Sequence, residues 1–338
     1  MDRAFASVRA IRGPALGQIL SQYQEASDKL QATGDGALSA ASTEQLSREL
    51  QTARINISRT AKAIDSDIRD AVFTQPLEIA RATLKNTVGG ALIGQWNTQV
   101  CAPFQDKLSG KYPFSKRATT AASLLDIERY FRPQTGTVWT FYERELSEYV
   151  RQGDFQAKGS ANIPQGIGAS LRRARSISDG LFDGSGTINL DFDLIPQQPT
   201  VEMLGDEVTA KPPTVTQIAV TIDGQEAVYQ MGRQNPKSFA WPNAKADERG
   251  ATIAVTVASV GQSALRLPAR EARGDWGWLR LVDSATVSPM PGGNVRLEWS
   301  VVDSERRFAV HVAYVLHARS GQSLFNAPRE FFQFECSR

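Results

Sequence analysis

Histidine and cysteine are almost missing from this chain: two of each in 338 residues, with neither pair clustered. That leaves little material for a His/Cys metal centre or a His-based acid–base site, and it leans against an enzyme. An excess of one charge is also missing. Lys and Arg total 38 against 36 Asp and Glu, a formal net charge of +2, so there is no broad electrostatic footprint for nucleic acid or an anionic membrane. Long hydrophobic runs are absent too. The longest weakly apolar stretch, Thr87 to Trp96, is Gly-rich and closes in a polar run, short of the ~20 apolar residues that cross a bilayer. The opening segment MDRAFASVRAIRGPALGQIL has scattered arginines and no apolar core before a cleavage site, so it does not read as a secretory signal. There is no CxxC. A Cys101–Cys336 cross-link would close a very long loop and fits only an oxidising compartment; two unpaired thiols are the plainer expectation.

What is present is ordinary folded material, 41% hydrophobic and 22% charged over 37.0 kDa, long enough for two or three domains. The apolar spacing changes along the chain. Up to about residue 182 it is helical, and from about 186 it alternates with period two. Ala15 to Ala32 reads as a helix, followed by a loop-like TGDGALSAAST. Thr43 and Glu44 then open a second helix whose stripe is Leu46, Leu50, Ala53, Ile57 and Ala61. Pro76 interrupts the next stretch, and Leu92, Trp96, Val100 and Phe104 recur on one later helical face. Thr119 or Thr120 is the expected cap of a helix facing Leu124, Leu125, Ile127 and Phe131 inward and ended by Pro133. Another helix is expected from Thr137 to Val150. The last, Leu171 to Phe182, sets Ala174, Ile177, Leu181 and Phe182 against Arg172, Arg173 and Arg175, a solvated or partner-facing flank, and is the expected joint between domains.

The second half opens with Ile188, Leu190, Phe192 and Leu194 alternating with Asn189, Asp191 and Asp193, a half-exposed antiparallel strand. Alternating runs recur at Val215–Ile222, Ala227–Met231, Thr252–Val260, Trp278–Val282, Val295–Val301 and Phe308–Leu316. Asp223-Gly224 between two of them predicts a type I′ hairpin, and Pro291-Gly292-Gly293-Asn294 marks another tight connection. The expected fold is α+β and multidomain: a helical bundle over 1–182, divisible near 105–118, followed by an antiparallel β-sandwich over 183–338.

Chemical motifs fail on context. Asp179, Asp183, Asp191 and Asp193 lack the ligand spacing of a calcium loop. Lys111 is followed by Tyr112 where a phosphate loop needs Ser or Thr, and Gly166-Ile167-Gly168 has no preceding strand. His311 and His317 share a strand face, separated by roughly 20 Å at the rise of a strand, too far for one metal. Four tryptophans fall in the β half. Trp299 is expected in the core with Leu297 and Val301; Trp276 and Trp278 share a face that is either core or partly exposed. Exposed in a row with Trp241, they would make a carbohydrate or peptidoglycan platform. An envelope hydrolase would need a clustered acid–base pair that the sequence does not display.

Several segments recur in one order: Trp96 and Val100, Tyr112-Pro113-Phe114, LLDIERYFRP, FYERELSEYV, SLRRARSISDGLF, Ile222 to Gln225 (IDGQ), Trp241-Pro242, GDWGWLRLVD and FNAPREFFQFECSR. In that order the chain resembles the C-terminal periplasmic region of the TssM/IcmF family, the inner-membrane scaffold of bacterial type VI secretion systems. The resemblance implies a non-enzymatic structural module with no cofactor. It also implies binding of the TssJ outer-membrane lipoprotein through the β domain, association with a TssL-type inner-membrane protein, and self-association in the trans-envelope complex. The matching positions, structural or interfacial, are Trp96, Tyr112, Pro113, Phe114, Phe131, Phe182, Trp241, Pro242, Trp276, Trp278, Arg280 and Phe325. Family members carry membrane helices ahead of this region, so the chain is expected to be the periplasmic part of an inner-membrane-anchored protein; expressed as written, it would stay in the cytoplasm. The alternative expectation is a carbohydrate- or peptidoglycan-binding envelope module.

Overall fold

The computed structural model describes residues 14–32, 40–62, 66–158, 163, 165–204, 211–233, 235–243, 248–259, 263–326 and 331–336. The readings of the first thirteen residues and of most of the loop after Ala32 lie outside them. The chain divides into two compact units: 1–99 with 141–169 and 336–338, and 100–140 with 170–335. The expected boundary at 182 therefore falls inside the second unit. So does the whole of the helix expected to join the halves, Leu171 to Phe182, because tertiary packing assigns elements to cores without regard to where helix gives way to strand.

The first unit holds α1 (Pro14–Ala32), α2 (Ala40–Thr60), α3 (Ser66–Arg69) and α4 (Gln75–Trp96), and the stripe read for the second helix is buried at Leu46, Leu50, Ile57 and Ala61. Pro76 opens α4 instead of breaking it, since a first-turn residue has no intrahelical N–H bond to lose. Ile19, Leu50, Ile57, Ala61 and Leu77 form a core closed by Tyr23, Ala53, Phe73 and Ala80. Arg81 ties α4 to α2 through Gln51 (2.6 Å) and Ser47 (3.0 Å). Trp96, fully buried, meets Phe141 edge-on at 5.6 Å. The expected helix to Val150 ends early: α7 (Thr137–Phe141), whose residues up to Thr140 belong to the second unit, stops at Phe141, and the first unit holds the π turn that follows, Tyr142–Leu146, whose Tyr142 hydroxyl donates to the Val150 carbonyl.

The second unit takes its helices α5 (Ala102–Lys107), α6 (Leu124–Phe131) and all but the first turn of α8 (Gln165–Leu181) from the sequence half read as a bundle. The cap of α6 is Ser123, whose Oγ accepts from Asp126 N at 3.0 Å, in place of Thr119 or Thr120. Leu125 is 53% exposed, against expectation. Leu124, Ile127 and Phe131 already fill the buried face, and Leu125 stands about 100° from Leu124 around the axis. On α8 the three arginines face outward as read; Arg175 pairs with Asp179 and Arg173 donates to the Gln333 carbonyl.

Two antiparallel sheets follow. The first runs β5-β1-β11-β10-β9, with β2 also on β11; the second runs β4-β3-β6, with β7 and β8 both on β6. The strands of the first are β1 (Leu190–Pro196), β2 (Thr200–Met203), β5 (Lys237–Trp241), β9 (Thr286–Pro289), β10 (Val295–Asp303) and β11 (Phe308–Ala318). Those of the second are β3 (Thr214–Ile222), β4 (Gln225–Gln230), β6 (Gly250–Ala258), β7 (Leu265–Arg266) and β8 (Arg270–Arg273). β1 buries Leu190, Phe192 and Leu194 and turns Asp191 and Asp193 outward. Asp223 and Gly224 have φ of 45° and 76°, the paired left-handed geometry of the expected hairpin.

Trp278–Val282 is not a strand. Gly277–Asp283 is a helix, α9, burying Trp278, Leu279, Leu281 and Val282. An apolar run this short fits both periods, and Gly277 decides between them locally: a Cβ there would lie 2.3 Å from the Ala272 carbonyl, so only glycine lets α9 approach β8. The Trp299 indole of β10 donates to Leu281 O at 2.9 Å, joining α9 to the other sheet.

Candidate functional site

All four β-half tryptophans are buried, Trp241 and Trp278 at 0% exposure and Trp276 and Trp299 at 1%. No row of exposed indoles exists for a sugar to stack on, and the carbohydrate-platform alternative falls with it. Trp278 stacks on Phe192 at 5.2 Å and 7°, and Phe325 meets the same ring edge-on at 5.4 Å. Trp276 packs against Trp241 (5.5 Å) and Tyr112 (6.2 Å), while its indole donates to Ala122 O at 2.6 Å. Phe182, at the end of α8, is buried and forms a single bridge with Ile188.

A second aromatic group links α5, α6 and the chain's last described residues. Phe334 meets Phe104 (4.8 Å), Phe131 (5.3 Å) and Tyr130 (5.8 Å). Phe332 meets Phe114 and Trp276, both at 5.8 Å. Phe332 and Phe334 are buried while Gln333 and Glu335 are exposed, an alternation present in the sequence itself. Pro113 and Pro242 each follow a cis peptide bond.

Arg280 lies over the Tyr112 ring, 4.1 Å from its centroid, and donates to Ala118 O. The Tyr112 hydroxyl donates to Asp283 at 2.6 Å and Lys116 donates to the same carboxylate at 2.8 Å. Burial, reinforced by Asp283, pushes the Tyr112 phenol well above its ordinary pKa, so it remains a donor. These groups line a cleft of about 550 Å³ with Arg117, and with Lys116 and Arg280 both bonded inside the unit, the arrangement holds the 112–118 loop on α9.

The IDGQ segment also has a structural role that sequence reasoning missed. The Asp223 carboxylate accepts from Gly250 N (2.9 Å) and Asn243 N (3.1 Å). Burial raises its pKa against the pull of those two backbone bonds. Gln225 reaches from β4 to the first sheet, where its amide donates to Ala240 O at 2.8 Å and accepts from Ala240 N at 3.2 Å, filling part of the open edge of β5.

The outward faces of the two sheets differ. The first is laced with charge: Arg296–Glu298 at 2.8 Å, His311–Glu202 at 3.0 Å and Arg319–Asp193 at 3.4 Å. On the second, cross-strand register aligns three rows: Gln230–Gln217–Thr256, Val228–Ala219–Ala254 and Glu226–Thr221–Thr252. Eight of those nine residues are uncharged and the middle row is apolar, with Ala254 buried, while β7 and β8 extend the outer rows with Arg266 and Glu271 and set Arg273 opposite Gly250. Depletion of charge at a patch centre is what separates protein interfaces from ordinary surface. Among the described residues, no group of His, Cys, Asp and Glu converges to hold a metal ion, and no helix is long and apolar enough to cross a membrane.

Residues 207–313 match the C2-like domain of the type VI secretion protein IcmF, and residues 88–169 match the IcmF helical domain. The chain belongs to the TssM/IcmF family. Among curated relatives, the type VI secretion system component TssM1 of Pseudomonas aeruginosa is 24% identical over 272 residues, which are 78% of this chain and 22% of that protein. The chain thus spans about a fifth of that relative's length. Of solved structures, the C-terminal domain of the type VI secretion protein TssM from EAEC aligns with a TM-score of 0.55 at 22% identity, over 74% of this chain and 97% of that one. A chain of a type VI secretion system membrane core complex aligns at 0.69 and 21% identity, over 98% of this chain and 70% of that one. Of the residues on which the resemblance was drawn, Tyr112, Phe131, Trp241, Trp276, Trp278 and Phe325 are buried, as is Trp96 in the first unit.

Proposed function

We propose that this chain is a non-catalytic structural module of a type VI secretion envelope complex, and that its β-rich unit binds a TssJ-type outer-membrane lipoprotein. Family membership sets the system. The observation that carries a binding role is the outward face of β4, β3 and β6, whose three paired rows hold Glu226 as their one charge, while Arg266, Glu271 and Arg273 lie on the flanking β7 and β8. A scaffold needs such a surface and needs no converging acid–base pair. In the same reading, a TssL-type inner-membrane protein and further copies of the chain complete the assembly, and the module sits in the periplasm. Its cysteines agree: both Cys101 and Cys336 are disulfide-bonded, in place of the unpaired thiols expected from sequence, and disulfides persist in oxidising compartments.

The test is a pull-down of the whole chain with the TssJ-type lipoprotein encoded in the same genome. Retention at micromolar concentrations is expected. No detectable complex removes the lipoprotein reading.

A further inference from the structure

Holding the 112–118 loop on α9 does not use up the charge of the cleft between them. Of the five residues that line it, Lys116, Arg117 and Arg280 are cationic and Asp283 alone is acidic. Asp283 is committed, since Tyr112 donates to it at 2.6 Å and Lys116 bonds both its oxygens at 2.8 Å. Among the described residues, no carboxylate pairs with the exposed Arg117 or with Arg280.

The Arg280 guanidinium is fixed from two sides. It sits 4.1 Å from the centroid of the Tyr112 ring, and its Nη2 donates to Ala118 O at 3.1 Å. A guanidinium carries five N–H donors, so one bond to Ala118 leaves a parallel pair of them, the fork that grips a carboxylate through two bonds. Much of the entropy of ordering this long side chain is lost before any ligand arrives. Space lies on both sides of the fork. The cleft with Lys116 and Arg117 measures about 550 Å³, and Arg280 also lines a second cleft of about 310 Å³ with Thr119, Ser123 and Arg273.

We infer that these joined clefts bind an acidic peptide segment, with one carboxylate on the Arg280 fork and a neighbouring acid paired with Arg117. An extended chain crossing Arg280 has room on either side. The five residues of the larger cleft include no glycine and no helix N-terminus, the backbone devices that surround phosphate oxygens, and a planar carboxylate suits the fork better. Neither cleft shares a residue with the three rows of β4, β3 and β6. The inference is independent of the lipoprotein reading, and its test uses a synthetic peptide, so either can fail alone.

The probe is a fluorescein-labelled, end-capped pentaglutamate, titrated with the full chain at low ionic strength and read by fluorescence anisotropy. Saturable binding is expected, with pentaglutamine inert. Arg117→Gln removes an exposed charge that makes no bond among the described residues, and should weaken binding roughly 2- to 5-fold, the range of an exposed ion pair. Arg280→Lys keeps the charge but loses the fork, and should weaken it roughly 10-fold or more, as for a lost charge-assisted bond. Lys237→Gln removes the same charge from an exposed position on β5, outside both clefts, and should change nothing. No saturable binding by the parent, unchanged binding in both arginine variants, or equal losses for Lys237→Gln and Arg117→Gln overturns the proposal. Inorganic phosphate displacing the peptide more readily than acetate at matched ionic strength overturns the assignment to carboxylate.

Discussion

Phe334→Ala tests whether the last described residues are part of the second unit's core. The ring is 5% exposed and lies within 6 Å, centroid to centroid, of Phe104, Tyr130 and Phe131. Removing a buried phenyl costs about 3–5 kcal/mol, a figure that already includes the cavity left behind. Each edge-on aromatic pair accounts for about 0.5–1.5 kcal/mol beyond area burial, so three of them place Phe334 toward the upper part of that range. Against a typical stability of about 5–15 kcal/mol this is a large fraction. The assay is equilibrium urea unfolding followed by tryptophan fluorescence, in which the midpoint should fall with the slope unchanged. Gln333→Ala is the control. Its side chain is exposed and its carbonyl, not its amide, takes the bond from Arg173, so it should stay within about 0.5 kcal/mol of the parent. A loss below about 1 kcal/mol for Phe334→Ala would refute the assignment of this segment to the core.

Gln225→Ala removes both side-chain bonds to Ala240 and should cost about 1–3 kcal/mol, with faster hydrogen exchange at the Ala240 amide; unchanged exchange there would show that the clamp is idle. Gln225→Glu should do no better, because it turns a carboxylate oxygen toward the Ala240 carbonyl. Asp223 predicts a pH effect. Its folded-state pKa is raised by burial, so its contribution to stability is fully present below the ordinary carboxylate pKa and is lost as pH rises through the folded-state value. The parent should therefore gain stability relative to Asp223→Asn as pH falls from neutral into the acid range. Asn suits the same turn, and parallel stability–pH curves for the two proteins would contradict the raised pKa.

The sequence by itself determined the local order. The period of β1 sorted Leu190, Phe192 and Leu194 from Asp191 and Asp193, and Asp223-Gly224 specified its hairpin, because alternation and positive φ are properties of a few adjacent residues. The helical stripe of α2 and the arginine flank of α8 were legible for the same reason. Ordered segments spread over both halves also carried the family. Where local signals tie, the tertiary structure decided. GWLRLVD fits a buried strand or a buried helix, and the contact of Gly277 with β8 makes it a helix. Residues 100–140 read as part of a bundle, yet they pack in the unit that holds both sheets, because the rings of Phe104, Phe114 and Phe131 find Phe332 and Phe334 from the far end of the chain. Alignment of Val228, Ala219 and Ala254 into one apolar row depends on strand register. Residues distant in sequence have no shared period to announce them, so only folding brings those surfaces together.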